Sequence, residues 1–206
     1  MALYGGRRPK GLGPTLKYVH ATWGDIERLC EKVAKQIKRS GFRPQVIVAV
    51  SRGGLPPARI ISDILDVDDV ASITIRYYKS VGRTREEPEI ICPLNADVAG
   101  KKVLIVDDVA DTGHSLQVAK EHVLAKGASE VRVATLHYKP WSVLKPDYYA
   151  EETDAWIIYA WEKWETVRDL ASDMKSKGKD DEEIVRELVR IGFEEEFVKK
   201  VLSSQA

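Results

Sequence analysis

The sequence contains few of the residues that crosslink small secreted domains or build metal centres. Its 206 residues include only 2 cysteines and 4 histidines. Cys30 and Cys92 form no Cys-x-x-Cys pair, which argues against a disulfide framework and a structural zinc site, so we expect both to be packing residues. The histidines show no ligand spacing with carboxylates or cysteines, and a histidine metal site is not predicted.

The sequence also has no excess charge of either sign, with 32 basic and 32 acidic residues. Because no basic field covers the protein, a small metabolite is a better candidate partner than a nucleic acid. No apolar stretch approaches the ~20 residues that span a bilayer. Residues 1–10 lack the apolar core of a signal peptide. We therefore expect a cytoplasmic protein with no membrane partner.

The length leaves room for one α/β domain of roughly 150 residues and a smaller appendage. We predict a loose N-terminal arm over residues 1–14, a main domain over 15–165 and a C-terminal helical bundle over 166–206. In the bundle, Asp180 and Glu183 have the spacing of a capping box. Helices are expected at residues 167–177, 181–191 and 193–202.

The main domain alternates apolar runs with segments of helical spacing, which is the pattern of an α/β fold. Strands and helices follow one another from residue 22 to residue 138, so we predict a doubly wound, mostly parallel sheet. The polar segment 79–89 interrupts this alternation and is expected to be a mobile loop, with a returning strand at 90–94. The aromatic-rich segment 148–164 precedes the bundle.

The most informative segment is residues 103–115, which reads V-L-I-V-D-D-V-A-D-T-G-H-S. Four apolar residues predict a strand buried on both faces, and a Gly, Thr and Ser loop then opens a helix. Such a turn binds phosphate through N–H groups and hydroxyls. Asp107 and Asp108 would repel that anion unless they face a ribose diol, with or without Mg²⁺. The segment therefore predicts a ribose 5-phosphate site.

This segment resembles the phosphoribosyl pyrophosphate (PRPP) signature of type I phosphoribosyltransferases. The resemblance implies the type I fold and the transfer of a phosphoribosyl group to a nitrogenous base. It also implies that Asp111 is catalytic and relays the proton that a purine loses near N7. An N-cap on the following helix is an alternative or additional role for Asp111. The residues implied to bind the ribose phosphate are Asp107, Asp108, Ala110, Asp111, Thr112, Gly113, His114 and Ser115.

Other segments resemble the remaining subsites of the family. Ser51, Arg52, Gly53 and Gly54 resemble the pyrophosphate loop, where missing side chains let backbone N–H groups approach the leaving group. Arg168 matches a position that faces pyrophosphate. Mg²⁺ is the implied cofactor, and its ligands would be Asp107, Asp108 and Glu162, directly or through water. The 79–89 loop would close over the reacting atoms, with Arg76 and Tyr77 beside it.

The base subsite resembles that of the 6-oxopurine phosphoribosyltransferases. Lys139 would donate to the exocyclic oxygen or to N7, Trp156 would stack on the purine, and the main chain at Ile157 would read its edge. The C-terminal extension instead resembles crenarchaeal adenine phosphoribosyltransferases. We favour adenine and PRPP as substrates, AMP as product, and a homodimer. Hypoxanthine, guanine or xanthine is the alternative base, and a PRPP- or nucleotide-sensing regulator is the second alternative.

Overall fold

The structure, a computed structural model, describes residues 17–78 and 87–204, which form two compact units. The first unit comprises residues 25–78 and 87–154, and the second comprises residues 17–24 and 155–204. The predicted arm over residues 1–14 lies outside the described residues. The boundary at residue 165 stays a prediction, and contacts group residues 155–165 with the C-terminal helices.

The described elements alternate along the chain as the sequence pattern predicts. The strands are β1 Tyr18–Ala21, β2 Val46–Ser51, β3 Val70–Tyr78, β4 Glu87–Cys92, β5 Lys102–Ala110, β6 Glu130–Tyr138, β7 Tyr148–Glu152 and β8 Trp156–Tyr159. The helices are α1 Trp23–Ser40, α2 Leu55–Leu65, α3 His114–Ala125, α4 Lys163–Ser176, α5 Asp181–Arg190 and α6 Glu195–Ser203.

The first unit is built on a six-stranded sheet in the order β4-β3-β2-β5-β6-β7. Only β4 is antiparallel to its neighbour, so the predicted doubly wound, mostly parallel fold is confirmed. From β2 the chain moves outward to β3, whereas from β5 it moves the opposite way to β6 and β7. The sheet thus has a switch point between β2 and β5, where α/β folds bind ligands at the carboxyl ends of the strands.

Two predictions about single segments are corrected by the structure. The returning strand spans Glu87–Cys92, not 90–94, because β4 is an edge strand, where Pro88 is tolerated without a ladder hydrogen bond. Cys92 is exposed on this strand and is not a packing residue, whereas Cys30 is buried in α1. The loop predicted at 79–89 lies mostly outside the described residues.

The second unit pairs β1 with β8 in parallel and packs α4, α5 and α6 around a separate core. The predicted capping box is present at the start of α5: Glu183 N–H donates to Asp180 Oδ1 at 2.8 Å, and Asp180 N–H donates to Glu183 Oε2 at 3.1 Å. No helix in the described ranges is both long and apolar enough to cross a membrane. The core of this unit is formed by Ile158, Val167, Ala171, Met174, Ile184, Leu188, Phe193, Val198 and Val201.

Truncating Leu188 tests whether this cluster stabilises the second unit. Leu188 is fully buried, whereas its neighbour Val189 is 40% exposed. We expect Leu188→Ala to lower the free energy of unfolding by about 2–5 kcal/mol through lost burial and the cavity left behind. Val189→Ala is the matched control and should cost far less. Denaturant unfolding measures both, and equal losses would contradict a core at Leu188.

Candidate active site

The strand-to-helix turn after β5 is the centre of the candidate site. Gly113 is the N-cap of α3 and has φ +83°, which favours glycine. A Cβ there would also lie 2.5 Å from Ser142 Oγ and 2.7 Å from Leu144 N. Because the N-cap is Gly113, the alternative N-cap role of Asp111 is wrong. Within the described residues no side chain caps α3, which leaves its first N–H groups available to an anion.

Asp107 and Asp108 place two adjacent carboxyl groups on β5. Asp107 Oδ1 accepts from the N–H of Asp108 at 2.9 Å, and Asp108 Oδ1 accepts from the N–H of Val109 at 2.7 Å. Burial raises the pKa of both carboxyls, and the charge of Asp107 raises the pKa of Asp108 further. Such a pair is stabilised by a cation or by hydroxyl donors.

The Ser51–Gly54 loop, between β2 and α2, lies directly against β5. The peptide bond between Ser51 and Arg52 is cis. A Cβ on Gly53 would overlap the Asp108 carboxyl group, and a Cβ on Gly54 would overlap the carbonyl oxygen of Val106. Both positions therefore require glycine because main chain and carboxylate approach too closely for a side chain.

These two loops and the carboxylate pair surround one pocket of about 340 Å³. Gly54, Ala110 and His114 do not line it: the first two are buried and His114 is exposed on α3. Tyr77 does line it, and its hydroxyl lies 3.1 Å from Thr112 Oγ1 and 3.2 Å from Ser115 Oγ. The predicted residues that line the pocket are Ser51, Arg52, Gly53, Asp107, Asp108, Asp111, Thr112, Gly113 and Ser115.

Lys139 follows β6 directly and is 6% exposed. Its N–H donates to the carbonyl of Ala110 at 3.1 Å, which joins the end of β6 to the end of β5. Burial lowers the pKa of the Lys139 ammonium, and the negative charges of Asp111 and Asp154 oppose that shift. A buried cation therefore interacts electrostatically with the carboxylate predicted to be catalytic.

Sequence reasoning missed Trp141, whose indole Nε1–H donates to Asp111 Oδ1 at 3.1 Å. The Lys139 Nζ lies 5.6 Å from the centroid of the same ring. The two partners are 30 positions apart in the sequence. No local pattern could have identified the contact, because it depends on how the segment after β6 folds back on the turn between β5 and α3.

The other predicted site residues belong to the second unit. Trp156 begins β8, pairs in register with Tyr18 and packs against the core of this unit, while Ile157 is buried. Glu162 Oε1 accepts from the N–H of Tyr159 at 3.1 Å just before α4, and Arg168 is exposed on α4. Their roles toward the base, pyrophosphate and Mg²⁺ stay predictions.

Comparison with known proteins agrees with this geometry. A family profile described as "Phosphoribosyl transferase domain" matches residues 21–172. The xanthine-guanine phosphoribosyltransferase of Gluconobacter oxydans is 29% identical over 150 residues, which cover 72% of this chain and 86% of that protein. Xanthine phosphoribosyltransferase 1 of Saccharomyces cerevisiae is 29% identical over 204 residues, which cover 79% of this chain and 97% of that protein.

Solved structures show the same relationship. The purine phosphoribosyltransferase of Pyrococcus horikoshii has 39% identity and a TM-score of 0.65, with 72% of this chain and 95% of that chain covered. A Neisseria gonorrhoeae protein with bound ppGpp has 27% identity and a TM-score of 0.66, with 73% of this chain and 92% of that chain covered. The chain therefore belongs to the phosphoribosyltransferase family, as a PRPP-dependent glycosyltransferase of the type I purine group.

Proposed function

We propose that the chain transfers the phosphoribosyl group of PRPP to a 6-oxopurine: hypoxanthine, guanine or xanthine. The observation that carries this choice is the position of Lys139, which is 6% exposed and whose Nζ lies 5.6 Å from the ring of Trp141, the indole that donates to Asp111. Lysine offers three donors and no acceptor. It therefore complements the carbonyl oxygen of a 6-oxopurine and faces an unfavourable donor in the 6-amino group of adenine.

The names of the relatives support the same choice. The Gluconobacter oxydans enzyme is named for xanthine and guanine, and the Saccharomyces cerevisiae enzyme for xanthine. The adenine preference expected from the C-terminal extension has no such support. That expectation depended on overall layout, whereas the 6-oxopurine proposal depends on a residue beside the candidate proton acceptor.

The proposed reaction joins purine N9 to C1 of the ribose while the bond from C1 to pyrophosphate breaks. Thr112, Ser115 and the first amides of α3 would hold the 5-phosphate, and the Ser51–Gly54 loop would bind the departing pyrophosphate. Asp111 would accept the proton that the base loses at N7. The family resemblance assigns Trp156 and Ile157 to the base and Arg168 to the pyrophosphate, and these assignments stay predictions.

The donor set at the carboxylate pair fits Mg²⁺, which takes hard oxygen ligands from one or two carboxylates plus substrate oxygens and water. Among residues 17–78 and 87–204, no group of three or more His, Cys, Asp or Glu side chains is assembled to hold a metal. Asp107 and Asp108 would therefore hold the ion together with PRPP, and the Mg²⁺ role of Glu162 stays a prediction. When bound, Mg²⁺ would neutralise charge that develops on the leaving pyrophosphate.

A base-panel assay tests the proposed substrate. With PRPP and Mg²⁺ supplied, we expect kcat/KM for the best of guanine, xanthine and hypoxanthine to exceed that for adenine by at least about 10²-fold, because mismatched donors in a buried site are strongly rejected. Lys139→Met keeps an aliphatic stem without the charge. This variant should lower the ratio of kcat/KM for the best 6-oxopurine to kcat/KM for adenine. Equal or faster turnover of adenine would contradict the proposal.

A nucleotide-sensing regulator remains the second candidate, favoured by the ppGpp bound to the Neisseria gonorrhoeae protein. Such a protein would bind guanine nucleotides in calorimetry without turning over any base in the panel.

We also propose a homodimer, which light scattering after gel filtration would test.

A further inference from the structure

Main-chain hydrogen bonds join the segment after β6 to the turn between β5 and α3 on both sides of Asp111. Ser142 N–H donates to the carbonyl of Lys139 at 3.0 Å, which closes a turn with Pro140 and Trp141 at its centre. Lys139 N–H bonds the carbonyl of Ala110, and Val143 N–H bonds the carbonyl of Thr112 at 2.9 Å. Two main-chain bonds thus flank Asp111 and fix the turn opposite it.

Trp141 occupies the tip of this turn, and its polar atom points at the carboxylate. Its side chain is 55% exposed, yet its single donor is directed to Asp111 Oδ1 rather than to bulk water. The indole has one donor and no acceptor, so this contact uses its entire hydrogen-bonding capacity. Because the indole is largely exposed, its contact with Asp111 orients the carboxylate more than it buries apolar area.

We propose that Trp141 is a positioning residue for Asp111, an inference that rests on the proposed phosphoribosyl transfer. The indole N–H would hold Oδ1 in place and leave Oδ2 as the acceptor for the purine N7 proton. A proton acceptor works best when its orientation is fixed before the substrate arrives. Since one N–H bonds one carboxylate oxygen here, loss of the N–H alone frees the carboxylate to rotate.

Trp141→Phe tests the proposal because it removes the N–H and keeps an aromatic ring. We expect kcat with guanine to fall about ten-fold, the size of effect of a hydrogen bond to a charged group. KM for PRPP should not change, because the turn does not supply the carboxylate pair. Trp164→Phe, at a second exposed tryptophan in the other unit, is the matched control and should retain wild-type kinetics.

A double-mutant cycle with Asp111→Asn separates positioning from a general structural role. If Trp141 acts through Asp111, Trp141→Phe should cause no further loss of kcat once the carboxylate is gone. Additive losses, an unchanged kcat, or a lower KM for the base in Trp141→Phe would each overturn the inference. The last result would mean that the indole blocks the base. A wild-type protein without turnover on any purine would overturn the proposed function as well.

Discussion

Asp111→Asn is expected to slow nucleotide formation by about 10²-fold or more. The amide cannot accept the proton that the purine loses at N7, and loss of a general base typically costs about 10²–10⁴-fold. Asparagine keeps an oxygen that can accept from the Trp141 indole N–H, so the local hydrogen bond survives. Steady-state kinetics should show a lower kcat and little change in KM for PRPP.

The control for this variant is Asp154→Asn. Asp154 is the second carboxylate whose charge acts on Lys139, but it does not line the pocket. If the effect of Asp111→Asn came only from a lost negative charge near Lys139, both variants would slow the reaction to a similar extent. We expect a far smaller loss for Asp154→Asn. Near wild-type turnover by Asp111→Asn would remove Asp111 from the proposed proton transfer.

The turn between β5 and α3 could be predicted from sequence because all its signals are local. Residues 103–106 are fully buried in β5, as four consecutive apolar residues predict. Gly113 has the left-handed conformation that a glycine between strand and helix allows. The motif also located Asp107 and Asp108 on the pocket, although β5 continues past them to Ala110.

Contacts between distant segments could not be predicted in this way. Asp111 and Trp141 meet only because β5 and β6 are neighbours and the following turn folds back. Tyr77 likewise contacts Thr112 across 35 sequence positions, through the order of strands in the sheet. Periodicity reports which face of an element is buried, and it carries no information about which loops meet at the edge of a sheet.

Short strands were the other limit of the sequence analysis. β8 has only four residues and pairs with the equally short β1. β4 alternates partly buried and exposed residues, contains a proline and lies at the sheet edge. Segments as short as these strands show no clear hydrophobic period, so pairing with a neighbouring strand decides their structure.

Gly53→Ala is expected to reduce kcat/KM for PRPP by about 10²-fold. The added methyl would lie 2.6 Å from Asp108 Cγ and 2.8 Å from Oδ1, and closer still to Oδ2. Either the carboxylate or the Ser51–Gly54 loop must move, and a displacement of about 1 Å at a reacting group costs about 10²-fold. Gly24→Ala adds the same methyl where the nearest atom is Thr22 Oγ1 at 3.9 Å, and it should leave the kinetics unchanged.

The free energy of unfolding of Gly53→Ala, which does not depend on turnover, can identify why this variant loses kcat/KM. Overpacking should make Gly53→Ala cost about 1–3 kcal/mol of unfolding free energy. In an Asp108→Ala background, the three atoms that the methyl would overlap are gone, so the same substitution should cost much less. Equal costs in both backgrounds would mean that the methyl disturbs the Ser51–Gly54 loop itself. The glycine would then be required by the loop conformation, not by the proximity of the Asp108 carboxylate.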